Sequence, residues 1–190
     1  MELEDTFVSK LYQALDFALK YHGQVLQVRK ATNTPYIIHP VGVMQILLKY
    51  TDDVEIIQAG ILHDIIEDTN GTAEDIEKAF GTKVKNLVLS ASEPEHDTLD
   101  WEERKRHTID YVANEAPIEA LYVICADKLH NFSTIIEDYL SLKDDVWKKF
   151  NRGKESQRWY YESMSEAILN RDKNNPLFQE FYNLVHHFFK

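Results

Sequence analysis

The stretch VEIIQAGILHDIIEDT, residues 54–69, decides the fold of this chain. Its apolar residues surround a helix from about Val54 to Ile66 on nearly every side, which is typical of a helix buried at the centre of a domain. At the end of this apolar helix, four ionisable residues fall within six positions: His63, Asp64, Glu67 and Asp68. Acids in a low-dielectric interior are normally paired, hydrogen-bonded or bound to metal, because an unpaired buried carboxylate is costly. Burial alone does not explain this cluster, and we interpret it as part of a functional site.

Helical periodicity extends over nearly the whole chain, as it does between Phe7 and Leu19. Pro40 marks the start of a helix, so His39 lies at that start. A capping pattern at Thr72 opens a short helix that Gly81 ends. Further helices are expected up to Ser92, over Trp101–Ala113 after a polar loop at 93–100, from Pro117 onward, and over about 144–170 and 176–189. These patterns predict an all-α fold.

Length and charge limit the class of protein. The chain has 190 residues, 44% of them hydrophobic, which is enough to bury one sizeable core. We therefore expect a single domain over residues 1–190. A net charge of −11 argues against broad contact with nucleic acid or an anionic membrane, because both require basic patches. A small phosphate-bearing substrate remains compatible with this charge, and the oligomeric state stays open.

The single cysteine and the amino terminus bear on location. Cys125 cannot form an intramolecular disulfide, and its apolar surroundings in sequence predict a buried thiol in a reducing compartment. The segment MELED, residues 1–5, is acidic where a signal peptide requires positive charge. No apolar stretch approaches the roughly 18 residues that span a membrane. We expect a soluble, cytoplasmic protein.

A second polar cluster, ADKLHN at residues 126–131, also follows an apolar run. Asp127, Asn131 and Thr134 fall on one helical face, so two buried helices each present polar groups. Together with His39, the two clusters supply two imidazoles and two carboxylates: His39, His63, Asp64 and Asp127. This set suits a divalent transition ion such as Mn, Fe, Co or Zn, which can lower the pKa of a bound water.

Each of these features has an ordinary structural reading when it is taken alone. An isolated His-Asp pair is usually exposed or caps a helix, and His39 by itself would be a core or capping histidine. The aromatic string at 159–161, with the cations Arg152 and Lys154 before it, could border a pocket, but core packing is the favoured interpretation. The coincidence of two polar clusters on buried helices is what favours a metal site.

Three strings in fixed order make the chain resemble the HD-domain metal phosphohydrolases. They are RK at 29–30 followed by TPYIIHP at 34–40, LHDIIEDT at 62–69, and ADKLHN at 126–131. Within that family, the chain resembles most the hydrolase domain of RelA/SpoT homologues and the small alarmone hydrolases. The resemblance covers about residues 8–165.

The resemblance implies a hydrolase that removes the 3′-pyrophosphate from guanosine tetra- or pentaphosphate in the stringent response, typically with Mn. It implies that the metal ligands are His39, His63, Asp64 and Asp127. It also implies that Glu67 and Asp68 form the catalytic acid pair, which orients or deprotonates the attacking water and manages the proton on the leaving group.

The resemblance further implies substrate contacts. Arg29 would pack over the nucleotide base, and Asn131 and Thr134 would bind the base or its sugar. From charge alone, the candidates for screening phosphate oxygens are Arg29, Lys30, Lys128, Arg152 and Lys154. Two departures concern this part of the site. The family's glycine after the Arg-Lys pair is absent from the loop ATNT at 31–34, and Lys128 stands where the family commonly has arginine.

Three other functions remain open from the sequence. A broader nucleotide phosphohydrolase would act on adenine analogues of the alarmone, on NADPH or on another nucleotide. A non-catalytic nucleotide sensor would keep the fold, although the acidic pair argues against it. A purely structural helical protein would hold no metal.

Overall fold

A computed structural model describes residues 6–28, 34–92 and 99–190, and these residues confirm the all-α fold. The helices in chain order are α1 (Phe7–Gln24), α2 (Ile38–Leu47), α3 (Val54–Leu62), α4 (Ile65–Asp68), α5 (Ala73–Phe80), α6 (Thr82–Ala91), α7 (Trp101–Asn114), α8 (Ile118–Leu142), a 3₁₀ helix (Lys143–Lys149), α9 (Lys154–Arg171) and α10 (Pro176–Phe188). None of the helices in these ranges is both long and apolar enough to cross a membrane.

Helix α3 lies at the centre of the fold, as its apolar sequence predicts. Every residue from Ile56 to Leu62 is buried, and the helix packs against α1, α2, α6 and α8. Its first turn is capped by the Asp53 carboxylate, which accepts hydrogen bonds from the backbone N–H groups of Glu55 and Ile56 at 2.9 and 3.4 Å. Helix α3 is therefore a rigid base for whatever follows its carboxyl end.

The helix predicted to continue to Ile66 ends earlier, at Leu62. His63 and Asp64 form a turn before the single-turn helix α4. The cause is local, because His63 Nδ1 lies 2.8 Å from the carbonyl oxygen of Gly60. In a continuous helix that carbonyl would accept from the backbone of Asp64. The side chain of His63 competes for this acceptor at the point where the helix stops.

Capping residues define other boundaries as expected. The Thr72 hydroxyl accepts from the backbone N–H of Asp75 at the start of α5, and Gly81 ends α5 with a φ of 87°. Helix α8 begins directly after Pro117. Most of the loop predicted at 93–100 lies outside the described residues.

The helix predicted over about 144–170 is wrong in its first third. Lys143 ends α8 with a left-handed backbone, φ 50°, and a 3₁₀ helix follows through Lys149. This helix buries Trp147, whose ring lies 6.3 and 6.0 Å from the rings of Phe188 and Phe189. Tertiary packing of the tryptophan thus outweighs local helix propensity.

The carboxyl-terminal half builds an aromatic core around α8. Phe132 on α8 is fully buried, and its ring lies 4.7 Å from Tyr161 on α9 and 5.5 Å from Phe188 on α10. Tyr160 and Tyr161 are buried, as the core interpretation of this string expects. Cys125 is also buried, and burial raises the pKa of its thiol well above the ordinary value. The cysteine is therefore a packing residue.

Replacement of Gly60 by alanine should test the close approach of α3 to α2. A methyl group at Gly60 would lie 2.3 Å from Leu47 Cδ1, whereas one at Gly23 would meet nothing within 4 Å. We expect Gly60→Ala to lower the free energy of unfolding by about 1–3 kcal/mol, and Gly23→Ala to change it by less than about 0.5 kcal/mol. Urea unfolding measures both. Equal effects would contradict the role of Gly60 in this contact.

Candidate metal centre and adjoining cleft

The four predicted metal ligands converge from three parts of the chain. His39 comes from the start of α2, His63 and Asp64 from the turn after α3, and Asp127 from the middle of α8. The Nε2 atom of His39 lies 3.2 Å from Nε2 of His63 and 3.1 Å from Oδ1 of Asp127. The Nε2 atom of His63 lies 3.1 Å from Oδ2 of Asp64. These separations bring His39, His63 and Asp64 together as a group that could hold a metal, with Oδ1 of Asp127 next to both imidazoles.

Hydrogen bonds on the outer side of each imidazole orient its ring. A carbonyl oxygen can only accept, so Nδ1 of His63 donates to Gly60 and Nε2 is the ring nitrogen that faces the centre. Nδ1 of His39 lies 2.9 Å from Nδ1 of His130, so Nε2 of His39 faces the centre as well. Both rings are thus arranged as ligands.

The charges of the centre favour a cation. Burial raises the pKa of Asp64, but the neighbouring charge of His63 and its hydrogen bond outweigh this and lower the pKa to about 2. Asp127 is buried too, yet the charge of Lys128 and hydrogen bonds from both histidines hold its pKa well below the ordinary value. Two ionised carboxylates therefore face two imidazoles in a buried place, and His39, His63 and Asp64 lie close enough together to hold a divalent metal ion.

The pKa of His63, in the turn after α3, also reflects these charges. Burial by itself lowers the pKa of His63, but the charge of Asp64 and the hydrogen bonds to Asp127 and Asp64 together hold the pKa well above its ordinary value. A group that attracts a proton so strongly next to two carboxylates lies in a strongly negative potential. A cation at this point meets the same potential.

Both oxygens of Asp127 are held by neighbours on α8. Lys128 Nζ donates to Oδ2 at 2.7 Å, and Asn131 Nδ2 donates to Oδ1 at 2.6 Å. Asn131 was predicted to contact a nucleotide, and it lines a cleft next to the centre. The structure therefore gives Asn131 a contact that the sequence did not predict, in which it orients a carboxylate of the metal centre.

Tyr36 is a site residue that the sequence interpretation missed. Its hydroxyl donates a hydrogen bond to Oδ2 of Asp64. Burial raises the pKa of the Tyr36 phenol, and the charge of Asp64 and this hydrogen bond raise it further, so the hydroxyl stays protonated. The only sign of Tyr36 in the sequence is its place in the string before His39. Its partner, Asp64, lies 28 positions away.

The acidic pair lies one turn beyond the metal centre, on α4. Glu67 and Asp68 are both exposed. The Oδ2 atom of Asp68 accepts from Nε2 of Gln27 at 2.8 Å, and Oε1 of Gln27 lies 2.6 Å from Nδ1 of His22. Asp68 lines the cleft, whereas Glu67 is not part of the cleft wall that the described residues form. Asp68 is thus held in position at the cleft, and a shared rim for Glu67 and Asp68 stays a prediction.

A cleft of about 550 Å³ adjoins the centre, and this volume suits a nucleotide. Tyr36 and Asn131 connect it to the metal centre through their bonds to Asp64 and Asp127. Thr134, predicted as a substrate contact, lies in its wall. The wall comprises Gln27, Val28, Tyr36, Asp68, Trp101, Asn131, Thr134, Ile135, Asp138, Lys149, Phe150, Asn151, Arg152, Gln157 and Tyr161.

The predicted cations differ in their positions. Arg29 and Lys30 lie outside the described residues. Arg152 lines the cleft and is exposed. Lys154 pairs with Asp144, their Nζ and Oδ1 atoms 3.0 Å apart, and it is not part of the described cleft wall. Of the cations after α8, Arg152 is thus better placed than Lys154 to meet a ligand in the cleft.

His130 was quoted in the third string but not predicted as a site residue. It supports His39 through the bond between their Nδ1 atoms. The space for its ring depends on Gly42, because a methyl group there would lie 2.1 Å from Nε2 of His130. Gly42 and His130 therefore form a supporting pair behind His39.

Comparison with known proteins agrees with this architecture. Residues 14–152 match the model of the HD domain family. The human guanosine-3′,5′-bis(diphosphate) 3′-pyrophosphohydrolase MESH1 is 40% identical over 126 residues, which are 65% of this chain and 68% of the relative. The bifunctional (p)ppGpp synthase/hydrolase SpoT of Escherichia coli is 33% identical over 139 residues, which are 70% of this chain and 19% of the relative.

Two solved structures are similar over most of the chain. A protein from Listeria monocytogenes is 38% identical with a TM-score of 0.71, and the match covers 80% of this chain and 98% of that one. A metazoan orthologue of SpoT that hydrolyses ppGpp is 26% identical with a TM-score of 0.74, and the match covers 94% of both chains. The helical fold thus recurs in both proteins.

The supporting pair behind His39 can be tested by a double-mutant cycle. Gly42→Ala should displace the His130 ring, and His130→Ala should remove it, so each should weaken Mn²⁺ binding about 10- to 100-fold. The double variant should bind no more weakly than His130→Ala alone, because the added methyl then meets no ring. Titration of the metal-free protein with Mn²⁺ measures this, and Gly23→Ala is the control. Additive losses would contradict the pairing.

Proposed function

The chain belongs to the HD domain family, and we propose that within this family it is a metal-dependent phosphohydrolase that removes the 3′-pyrophosphate of ppGpp or pppGpp. The observation that carries the proposal is the metal-type group of His39, His63 and Asp64 beside a nucleotide-sized cleft, with Asp127 3.1 Å from His39. Relatives that carry this activity by name add support, since human MESH1 is 40% identical and matches 68% of its own length. A solved orthologue of SpoT with a similar fold hydrolyses ppGpp.

We propose that His39, His63, Asp64 and Asp127 hold the metal and that it is Mn²⁺. Two nitrogen and two oxygen donors in a buried, negative site support a divalent transition ion, and the oxygen share favours Mn²⁺. When bound, the ion would supply a Lewis acid that polarises the phosphoryl group and lowers the pKa of water. The chain's own contribution is to hold four donors in place through Gly60, His130, Tyr36, Lys128 and Asn131.

Glu67 and Asp68 are proposed as the acid–base pair. Hydrolysis requires a water oxygen to bond to the phosphorus on the 3′ oxygen, while the bond between that phosphorus and the 3′ oxygen breaks. The water loses a proton, and the 3′ oxygen gains one as pyrophosphate leaves. An exposed carboxylate held by Gln27 at the cleft rim, as Asp68 is, supports a role in accepting and returning that proton.

The proposed substrate contacts are Arg29, Lys30, Asn131 and Thr134. The positions of Asn131 and Thr134 in the cleft wall support their share of this set. We propose a small nucleotide, and neither nucleic acid nor a membrane, as the partner, because the chain carries a net charge of −11.

Three further proposals concern the setting of the protein. One folded unit over residues 1–190 is consistent with the packing of α10 against α8 and α9. A cytoplasmic location is consistent with a single, buried cysteine. A role in the stringent response would follow from the removal of its alarmone.

A substrate panel tests the reaction. The purified protein with Mn²⁺ is incubated with ppGpp, pppGpp, their adenine analogues and NADPH, and phosphate and pyrophosphate are measured separately. We expect pyrophosphate and GDP from ppGpp, and loss of this activity when a chelator removes the metal. Release of phosphate from another nucleotide, with ppGpp untouched, would overturn the proposal in favour of a broader phosphohydrolase. Nucleotide binding without any turnover would indicate a sensor.

Isosteric variants separate the acid–base pair from the metal ligands. Glu67→Gln and Asp68→Asn should lower turnover by about 10²- to 10⁴-fold, the usual contribution of a proton-transfer group, while metal content stays near that of the unmodified protein. Asp68→Asn keeps an oxygen for Gln27, so the rim should stay in place. Metal analysis and steady-state kinetics measure the two properties independently.

Two control variants are needed to interpret the kinetics of Glu67→Gln and Asp68→Asn. Glu74→Gln alters an exposed acid on α5 and should leave turnover unchanged. His63→Ala should lose stoichiometric metal together with turnover. Unaltered turnover in both Glu67→Gln and Asp68→Asn would refute the acid–base assignment, and unaltered metal content in His63→Ala would refute the metal centre.

A further inference from the structure

Four of the residues that line the cleft have a different chemistry from the metal centre. They are Trp101 on α7, Phe150 after the 3₁₀ helix, and Gln157 and Tyr161 on α9, which packs against α7, and we call these four residues the aromatic wall. None of the elements that carry it supplies a metal donor. Three aromatic rings and one neutral amide make this wall suitable for a flat, uncharged group.

Gln157 is the polar member of the aromatic wall, and its burial is unusual. Its exposed fraction is 7%. Among the described residues, we find no hydrogen-bond partner for its side-chain amide. The protein does not enclose the amide atoms of Gln157 completely. They remain accessible from the cleft, which Gln157 lines. Buried amides are normally paired, because an unpaired one is destabilising.

The position of Gln157 is fixed by its backbone. It lies in the first turn of α9, where its N–H donates to the carbonyl of Gly153 at 3.2 Å. Tyr161, also part of the wall, follows one helical turn later and packs against Phe132 in the core. The amide is thus carried on a rigid element and is preorganised for a ligand.

The chemistry of Gln157 itself favours an uncharged group at its position. Lys149, which also lines the cleft, pairs with Asp138, with 3.0 Å between Nζ and Oδ2. Arg152 lines the cleft and is exposed, so it is a cation that a phosphate elsewhere in the cleft could meet. A phosphate would need cations or the metal, whereas an amide offers one acceptor and two donors without charge. This pattern matches the polar edge of a nucleobase whose faces contact aromatic rings.

We propose that Gln157 binds the polar edge of the substrate's purine base and thereby selects among bases. This inference rests on the proposed function, because it assigns the base of the same nucleotide whose phosphates lie at the metal. A site built around a hydrogen bond to a polar group rejects an analogue that lacks the group, since the amide is then left unpaired. Gln157 is in this view a specificity residue with no part in the proton transfers.

Gln157→Leu removes the amide with little change in size. With ppGpp and Mn²⁺, we expect KM to rise about three- to tenfold, the range for one lost neutral hydrogen bond, with kcat within about twofold. The ratio of kcat/KM for ppGpp to that for its adenine analogue should move toward one. Gln157→Glu keeps the shape but replaces two donors with charge, so it should shift the same ratio without loss of fold. Gln45→Leu is the control, because Gln45 is exposed on α2 and outside the described cleft wall.

A binding measurement separates this inference from the proposed function. Calorimetric titration with GDP and with ADP, without metal, should show weaker binding and less discrimination in Gln157→Leu than in the unmodified protein. If the unmodified protein does not hydrolyse ppGpp, the proposed reaction fails while the GDP and ADP titrations still test Gln157. If it hydrolyses ppGpp and Gln157→Leu and Gln157→Glu keep KM and base preference unchanged, the role of Gln157 is overturned.

Discussion

The hydrogen bond from the His63 ring to the carbonyl of Gly60 is the constraint on which the rest of the centre depends. It lies where α3 stops, and it fixes the proton on Nδ1 of His63. The Nε2 atom of His63 then faces His39 and the two carboxylates. Because α3 is buried on all sides, the turn that carries His63 and Asp64 has a rigid base, and α4 with the acidic pair follows directly from it.

The two carboxylates also need restraint from outside, because they carry the same charge in one buried place. The charge of Asp127 by itself raises the pKa of Asp64, which shows that the two acids repel each other. Each donor residue is held from behind: His39 by His130, Asp64 by Tyr36, and Asp127 by Lys128 and Asn131. A site that keeps such groups together before a cation arrives is preorganised, and a divalent ion relieves the repulsion it has built up.

The sequence predicted the helix bounds and site residues that neighbouring residues determine. It did not predict those that depend on contacts between residues distant in sequence. The bounds of α5 followed from Thr72 and Gly81, because a capping box and a left-handed glycine act within a few residues. The end of α3 was missed, since its apolar pattern continues to Ile66 while a side-chain bond stops the helix. The convergence of the tetrad was predicted from three strings, but Tyr36 and His130 were not, because their partners lie 28 and 91 positions away. The 3₁₀ helix depends on the burial of Trp147, which no local pattern indicates.

The residues proposed for the reaction and those proposed for the choice of base lie on different elements of the fold. The metal donors and the acidic pair lie on α2, the α3–α4 turn and α8, whose packing at the centre leaves little freedom for change. The aromatic wall lies on α7, on α9 and on the irregular segment between the 3₁₀ helix and α9. On the proposed function, the phosphohydrolase chemistry and the choice of base would therefore depend on separate parts of one scaffold, and Gln157, a buried polar residue of the cleft lining, would belong to the second.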